Sequence, residues 1–94
     1  SFSFKDSKYS MLATFENLSE PQNSDFYEGW VVQKTPFKFI STGKVEKVNG
    51  VYTNTYSSGD NLSSYNFYVL TIEPNDGNPA PAKHIVEGTM NKVN

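Results

Sequence analysis

The single histidine, His84, is the side chain best suited to proton transfer near neutral pH. As a general base it would need a nucleophile and an orienting carboxylate nearby in space. Serine and aspartate are plentiful, but the sequence has no Gly-x-Ser-x-Gly motif of the kind that presents a nucleophilic serine. A histidine that caps or packs at the start of a strand accounts for His84 more simply. We therefore predict no catalytic residue and no enzyme activity.

Glu73 and Asp76, together with Asn75 and Asn78, could offer oxygen ligands to calcium. Their spacing matches no calcium-binding loop, and Asn, Asp and Gly are ordinary turn formers at such positions. We therefore predict neither a bound metal nor a cofactor. Glu73, which precedes Pro74, is expected instead to accept N–H bonds from the loop that follows it.

Aromatic side chains are the third group with binding potential, with seven Phe, six Tyr and one Trp. A carbohydrate platform could be built from Trp30, Tyr27, Phe39, Tyr56, Tyr65 and Phe67. Their alternation with polar residues favours a different interpretation, in which they form a sandwich core with Trp30 at its centre. Tyr52 and Tyr68 are expected on the outward register, where they are better candidates for binding.

The first four residues, Ser1–Phe4, alternate serine and phenylalanine. Phe2 and Phe4 could add as a strand to the open edge of a neighbouring molecule. In the alternative, this segment is a disordered linker. The complete set of candidate interaction residues is Phe2, Phe4, Tyr52, Tyr68, Glu73, Asp76 and His84.

Composition excludes several classes of partner. Eight lysines, no arginine and ten acidic residues give a net charge of −2, without the basic stripe of a nucleic-acid-binding protein. The absence of cysteine excludes disulfides, thiolate catalysis and cysteine-ligated zinc. The lysines are scattered and the apolar runs are short, so no segment is suited to spanning or lying on a membrane. A membrane contact would need an anchor that is absent from this chain.

The elements that must position these side chains are strands, because no window shows helical periodicity. Asn49-Gly50 lies between two alternating runs and predicts a tight hairpin. Tyr65–Ile72 is apolar on both faces, which predicts a central strand. A bulge or bend is expected at Gly43. Six or seven short strands separated by turn residues predict an all-β fold, an antiparallel β-sandwich.

The length of 94 residues predicts one domain. We place a tail or linker stub at residues 1–8, the β-sandwich at 9–90 and a second tail at 91–94. Because the chain begins with Ser1 and shows no signal peptide, we expect a processed fragment from which a signal or anchor could have been removed.

With these segments placed, the chain resembles the C-terminal, extracytoplasmic domain of anti-sigma-K-type anti-sigma factors. The family pattern is an Asn-Leu turn, a Tyr-Glu-x-Trp strand, a glycine-containing strand, a Thr-x-Glu-Pro segment and a closing Ile-Val-x-Gly. The corresponding residues, in the same order, are Asn17-Leu18-Ser19, Tyr27-Glu28-Gly29-Trp30-Val31-Val32, Thr42-Gly43, Leu70–Pro79 and Ile85-Val86-Glu87-Gly88. The resemblance covers about residues 9–90.

The resemblance implies an exported, extracytoplasmic module, periplasmic or at the cell surface, that is membrane-tethered in the full-length protein. In that family the sigma factor is bound by a Cys- and His-rich cytoplasmic segment followed by a membrane helix, and neither is in this chain. The leading hypothesis is therefore a non-enzymatic bacterial interaction module for signalling. Its partner is an unknown protein, and a second copy of the same chain is one candidate.

Two other hypotheses remain at this point. In the first, the chain is a structural subunit of a bacterial surface layer or filament that assembles by strand addition through Phe2 and Phe4. In the second, it is a small hydrolase or a sugar binder, which ranks last because polar residues do not converge in the sequence.

Overall fold

The computed structural model describes residues 1–22, 24–74 and 83–93. Within these ranges the fold is all-β, with eight strands in two antiparallel four-stranded sheets, which confirms the predicted β-sandwich class. The same residues contain no helix long and apolar enough to cross a membrane. The strands are β1 (Phe2–Lys5), β2 (Lys8–Phe15), β3 (Phe26–Lys34), β4 (Phe37–Lys44), β5 (Glu46–Val48), β6 (Val51–Ser58), β7 (Phe67–Glu73) and β8 (Lys83–Thr89).

Strand order places β1-β2-β6-β5 in the first sheet and β4-β3-β7-β8 in the second sheet. The chain passes from the second sheet to the first at Val45, which is buried and whose N–H donates to the carbonyl oxygen of Tyr27 at 2.9 Å. The apolar run at β7 lies between β3 and β8, as its two apolar faces predict.

The hairpin between β5 and β6 is the one that the sequence predicts at Asn49-Gly50. Val48 pairs with Val51, and both turn residues have positive φ, 50° at Asn49 and 82° at Gly50. Asparagine and glycine tolerate this left-handed conformation, and the resulting turn matches the twist of the flanking strands. The prediction of a tight hairpin is confirmed.

The core between the sheets is rich in aromatic residues, with Tyr9, Val31 and Leu70 fully enclosed. We call the side of the second sheet that packs here its inner face. Alternate residues of β1, β2, β3, β6 and β7 contribute, because successive side chains of a strand point to opposite faces. The buried members of this core are Phe2, Tyr9, Met11, Tyr27, Val31, Val45, Tyr52, Leu62, Tyr68 and Leu70.

A buried polar network crosses the core opposite Gly29. Asn54 Oδ1 accepts hydrogen bonds from Tyr68 Oη at 2.8 Å and from Thr42 Oγ1 at 2.6 Å. Asn54 Nδ2 donates to the carbonyl oxygen of Thr42 at 3.0 Å. A β-carbon on residue 29 would overlap these oxygen atoms, so glycine leaves the space that the network fills.

The N-terminal residues form a strand, so the prediction of a tail at 1–8 is wrong. Phe2 pairs with Met11, and its side chain is buried against Tyr9 with ring centroids 5.9 Å apart. Asp6 and Ser7, both with positive φ, form the turn into β2. Sequence reasoning missed this hairpin because the pair Asp-Ser lacks the glycine that usually marks such turns.

Residues 91–93 also belong to the folded unit. The N–H of Phe2 donates to the carbonyl oxygen of Asn91 at 2.9 Å, and the N–H of Val93 donates to that of Phe2 at 2.6 Å. Lys92 thereby forms a parallel bridge with Phe2 on the free side of β1. We call this arrangement the terminal clasp.

Candidate functional site

The outer face of the second sheet, opposite its inner face, carries a second apolar cluster. Trp30 and Val32 of β3 pack there with Val69 and Phe67 of β7. Because β3 and β7 are the central strands and are apolar on both registers, their outer-face side chains form a continuous apolar strip.

This strip is the floor of a groove of about 550 Å³, which we call the aromatic groove. Its volume lies within the range of roughly 300–1,000 Å³ that is typical of ligand sites. The residues that line it come from all four strands of the second sheet and are Trp30, Val32, Lys34, Phe37, Phe39, Phe67, Val69, His84 and Glu87.

Exposure divides the groove into a floor and a rim. Three floor side chains, Trp30, Val32 and Val69, are buried, with Trp30 and Val69 each 7% exposed, and Phe67 is partly buried. On the edge strand β4, Phe37 is 68% exposed and Phe39 is 49% exposed. Phe39 packs edge-on against Trp30, with ring centroids 5.6 Å apart, and Phe37 lies 5.8 Å from Phe39. Two adjacent phenylalanines therefore present their rings to solvent beside a buried tryptophan.

Hydrogen bonds within the protein hold the floor in place. Trp30 Nε1 donates to Thr71 Oγ1 at 3.0 Å, and Thr71 Oγ1 donates to Glu73 Oε2 at 2.6 Å. On the other side of Trp30, Ser41 Oγ donates to Glu28 Oε2. Because the indole N–H is used internally, Trp30 offers a ligand its apolar ring surface.

Charged groups mark the two ends of the rim. Lys34 Nζ lies over the ring of Phe67, 4.0 Å from the centroid, in a cation–π contact. On β8, His84 Nδ1 lies 2.9 Å from Glu87 Oε2, and both side chains are about half exposed. The groove can thus hold an apolar group between a cation on β3 and a His–Glu pair on β8.

Tyr52 and Tyr68 face the core, so the prediction of an outward register for them is wrong. Tyr52 is 6% exposed and stacks edge-on with Tyr27, and Tyr68 is 5% exposed. The hydroxyl of Tyr68 is satisfied by Asn54 inside the sandwich.

The pKa values of three core tyrosines are raised. Burial, with a smaller contribution from Tyr56, raises the pKa of Tyr9 to about 12. Burial also raises the pKa of Tyr68 well above its usual range, against a smaller lowering effect of its hydrogen bond with Thr42. Burial, followed by the nearby Tyr52, raises the pKa of Tyr27.

Phe2 and Phe4 are engaged within the chain rather than free for a neighbour. Phe2 belongs to the core, and Phe4 is partly buried against it. β1 is paired with β2 on one side and carries the terminal clasp on the other. Donating this segment to another molecule would first require breaking these pairings.

Glu73 and His84 differ in their surroundings. Glu73 is buried and accepts a hydrogen bond from Thr71, whereas Asp76 lies outside the described residues. His84 is on the groove rim, with Glu87 as its neighbour. In the part of the chain that the structure describes, no group of three or more His, Cys, Asp or Glu side chains is placed to hold a metal ion.

The aromatic residues considered as a sugar platform divide between the two faces. Tyr27 is buried in the core, and Tyr56 and Tyr65 are partly buried against it, as predicted. Trp30, Phe39 and Phe67 lie on the outer face, so the placement of Trp30 at the centre of the core is wrong.

Five groove residues were not among the candidates from the sequence, namely Val32, Lys34, Phe37, Val69 and Glu87. The available signal was the pair Phe37 and Phe39, whose rings alternate with Lys38 on one short strand. Alternation of this kind places both rings on one face, but it does not show whether that face is covered.

Comparisons with protein-family models, with curated proteins and with solved structures find no match for this chain. The site is therefore interpreted from its own geometry.

Proposed function

We propose that this domain is a non-enzymatic interaction module that binds a protein partner through the aromatic groove. The observation that carries the proposal is the exposure of Phe37 and Phe39 beside the buried floor of Trp30 and Val69. Contiguous exposed apolar surface, rimmed by polar residues, is typical of interaction sites. Burying one such phenylalanine against a partner would contribute roughly 1.5–3 kcal/mol to binding.

The polar groups of the groove favour binding over chemistry. His84 and Glu87 are half exposed and next to each other, on the edge strand β8. The groove lining in the described structure includes no serine, threonine or cysteine that could act as a nucleophile. An apolar cleft with a few charged groups at its ends is suited to orienting a ligand.

The cellular setting that we propose follows from the resemblance to the outer domains of anti-sigma-K-type anti-sigma factors. The module would then act outside the cytoplasm, tethered to the membrane by a segment absent from this chain. Its groove would contact a partner protein in extracytoplasmic signalling. The support for this setting is the ordered set of sequence motifs, two of which contribute Trp30 and Glu87 to the groove.

Titration with the apolar dye 8-anilinonaphthalene-1-sulfonate, followed by amide and side-chain NMR shifts, tests whether the groove binds apolar groups. We expect the shift changes to concentrate on Trp30, Phe37, Phe39 and Phe67. Phe39→Ser should weaken dye binding by about tenfold, since one buried aromatic contact is worth at least 1.4 kcal/mol.

Val48→Ser is the matched control, because Val48 is 51% exposed on β5 of the first sheet, away from the groove. It should leave dye binding unchanged. The proposal would be overturned if the dye bound elsewhere, or if both substitutions weakened binding equally.

A further inference from the structure

The edge of the second sheet that flanks the aromatic groove indicates what kind of partner segment the groove binds. Among the described residues β4 pairs with β3 and has no strand on its other side. An edge strand presents unpaired N–H and C=O groups that an extended peptide can use. Phe37 and Phe39 lie on this same strand, so a peptide paired with β4 would place alternate side chains next to their rings.

The charge of this edge is positive although the chain as a whole is negative. Residues 33–44 include Lys34, Lys38 and Lys44 but no aspartate or glutamate, in a chain of net charge −2. Lys34 lies directly opposite Phe37 in the strand register. All three lysines are exposed, so their charges are available to a partner.

This charge pattern distinguishes between possible occupants. Lysines on an edge strand oppose pairing with another copy of the same edge, because like charges placed opposite each other repel. The same lysines attract a segment that carries carboxylates. A second copy pairing through β4 is therefore disfavoured, whereas an acidic segment of another protein is favoured.

β8, at the other edge of the sheet, is less suited to the same ligand. On β8 the register shifts opposite Leu70 and Thr71, and such irregularities interrupt the ladder that an added strand would continue. β8 carries one acidic residue, Glu87, as well as Lys83, whereas β4 carries Lys38 and Lys44 and no acidic residue. β4 also has a register shift, between the pairs Gly29–Gly43 and Trp30–Ser41, but its pairing with β3 is regular over Phe37–Ser41, the part that carries the two phenylalanines.

We propose that the β4 edge binds an extended, acidic segment of a partner protein by strand addition. Apolar side chains of that segment lie on Phe37 and Phe39, and its carboxylates lie on the opposite face of the sheet, near Lys38. Because side chains of a strand alternate between faces, the matching sequence alternates apolar and acidic residues over about five positions. This inference rests on the proposed function, since it identifies the ligand of the same groove.

The probe is an eight-residue peptide of alternating leucine and glutamate, acetylated and amidated at its ends. Binding is measured by the fluorescence of Trp30, the single tryptophan of the chain, and by NMR shifts of the β4 amides. A peptide with lysine in place of glutamate should bind at least about tenfold more weakly, because its charges face Lys38.

Backbone pairing is tested with two N-methylated peptides, one methylated at every leucine and the other at every glutamate. An extended peptide offers alternate N–H groups to each side, so only one of the two methylation patterns blocks the side that faces β4. We expect one peptide to lose binding by at least about tenfold and the other to stay within about threefold of the parent. Equal effects of the two patterns would rule out strand addition.

Charge recognition is tested in the protein with Lys38→Glu, which should weaken binding of the leucine–glutamate peptide by about tenfold. The matched control is Lys5→Glu, which makes the same charge change on an exposed residue of β1 in the first sheet. If both substitutions had the same effect, the net charge and not the β4 edge would attract the peptide.

The dye titration separates this inference from the proposed function. If the dye binds at Phe39 but the peptides fail these comparisons, the groove remains a binding site and the strand-addition inference is wrong. If the dye does not bind at the groove, both proposals are wrong.

Discussion

The two faces of the second sheet are both apolar, yet they differ in how they are covered. On the inner face, Tyr68 and Leu70 are buried and the nearby polar atoms of Asn54 and Thr42 are paired with each other. On the outer face, a buried strip borders Phe37, which is 68% exposed. The inner face is closed by the first sheet, whereas the outer face is covered in part by its own rim.

The comparison shows that hydrophobicity does not by itself decide where a core lies. β3 supplies Val31 to the inner face and Trp30 to the outer face, one residue apart. What differs is the surface opposite each residue, which is another sheet in one case and solvent in the other. We infer that the inner face sets stability and that the outer face is available for binding.

The substitution Gly29→Ala should cause the largest loss of stability, because it disrupts the packing at the inner face. The added β-carbon overlaps Asn54 Oδ1 and Tyr68 Oη, so the polar network must separate or the sheets must move apart. Overpacking and lost buried hydrogen bonds together are expected to lower the free energy of unfolding by about 3 kcal/mol or more. Urea denaturation followed by Trp30 fluorescence measures this change.

Gly88→Ala is the control for that substitution, because Gly88 is also a strand glycine of the second sheet and has open space where a β-carbon would lie. It should change the free energy of unfolding by less than about 0.5 kcal/mol. Similar losses for the two variants would mean that the network at Gly29 does not stabilise the inner face.

Alkaline pH should cause the second-largest loss of stability, through the buried tyrosines of the core at the inner face. The pKa of Tyr9 is raised to about 12, and that of Tyr68 is raised further, so both keep their protons in the folded state when the unfolded chain has lost them. Stability is then constant below about pH 9 and falls above about pH 10, by about 1.4 kcal/mol per pH unit for each such tyrosine. Urea denaturation at a series of pH values from 8 to 11.5 measures the slope.

Tyr9→Phe separates the contribution of one tyrosine to this slope. It should flatten the alkaline decline and leave neutral-pH stability unchanged or raised by about 1 kcal/mol, because Tyr9 Oη is buried without a hydrogen-bond partner among the described residues. An undiminished alkaline slope in this variant would show that Tyr9 is not a source of the decline.

Substitutions on the outer face should lower the free energy of unfolding by smaller amounts. Trp30→Phe removes the N–H that donates to Thr71, and Thr71 keeps its bond to Glu73, so the expected loss is about 1–2 kcal/mol. His84→Ala removes only a half-exposed neighbour of Glu87 and should cost less than about 0.5 kcal/mol. Thermal unfolding followed by circular dichroism would rank the two variants, and a larger loss for His84→Ala would contradict the division into floor and rim.

Turn chemistry and strand alternation were enough to predict the class of fold. The Asn49-Gly50 hairpin and the central position of β7 followed from local sequence, because glycine and a doubly apolar run restrict the possible structures. The β1 strand could not be predicted from local sequence, since nothing in Ser1–Phe4 shows that its partner is β2 of the same chain.

The candidate site was harder to predict, because alternation separates two faces without identifying the covered one. In β7, apolar residues occupy both registers, so Phe67 and Tyr68 cannot be assigned to a face from the sequence. In β6, Tyr52 shares a face with Asn54, whose side-chain amide is hydrogen-bonded inside the core. The arrangement of the two sheets, a long-range property, decides both cases.

The terminal clasp has a mechanical consequence. Because residues 91–93 run parallel to β1, a force that pulls the two ends of the domain in opposite directions acts along both strands. The two hydrogen bonds of Phe2, to Asn91 and from Val93, are then loaded together in shear rather than one after the other. Tension along the chain would therefore be resisted first at this clasp, before it reaches the sheet that carries the aromatic groove.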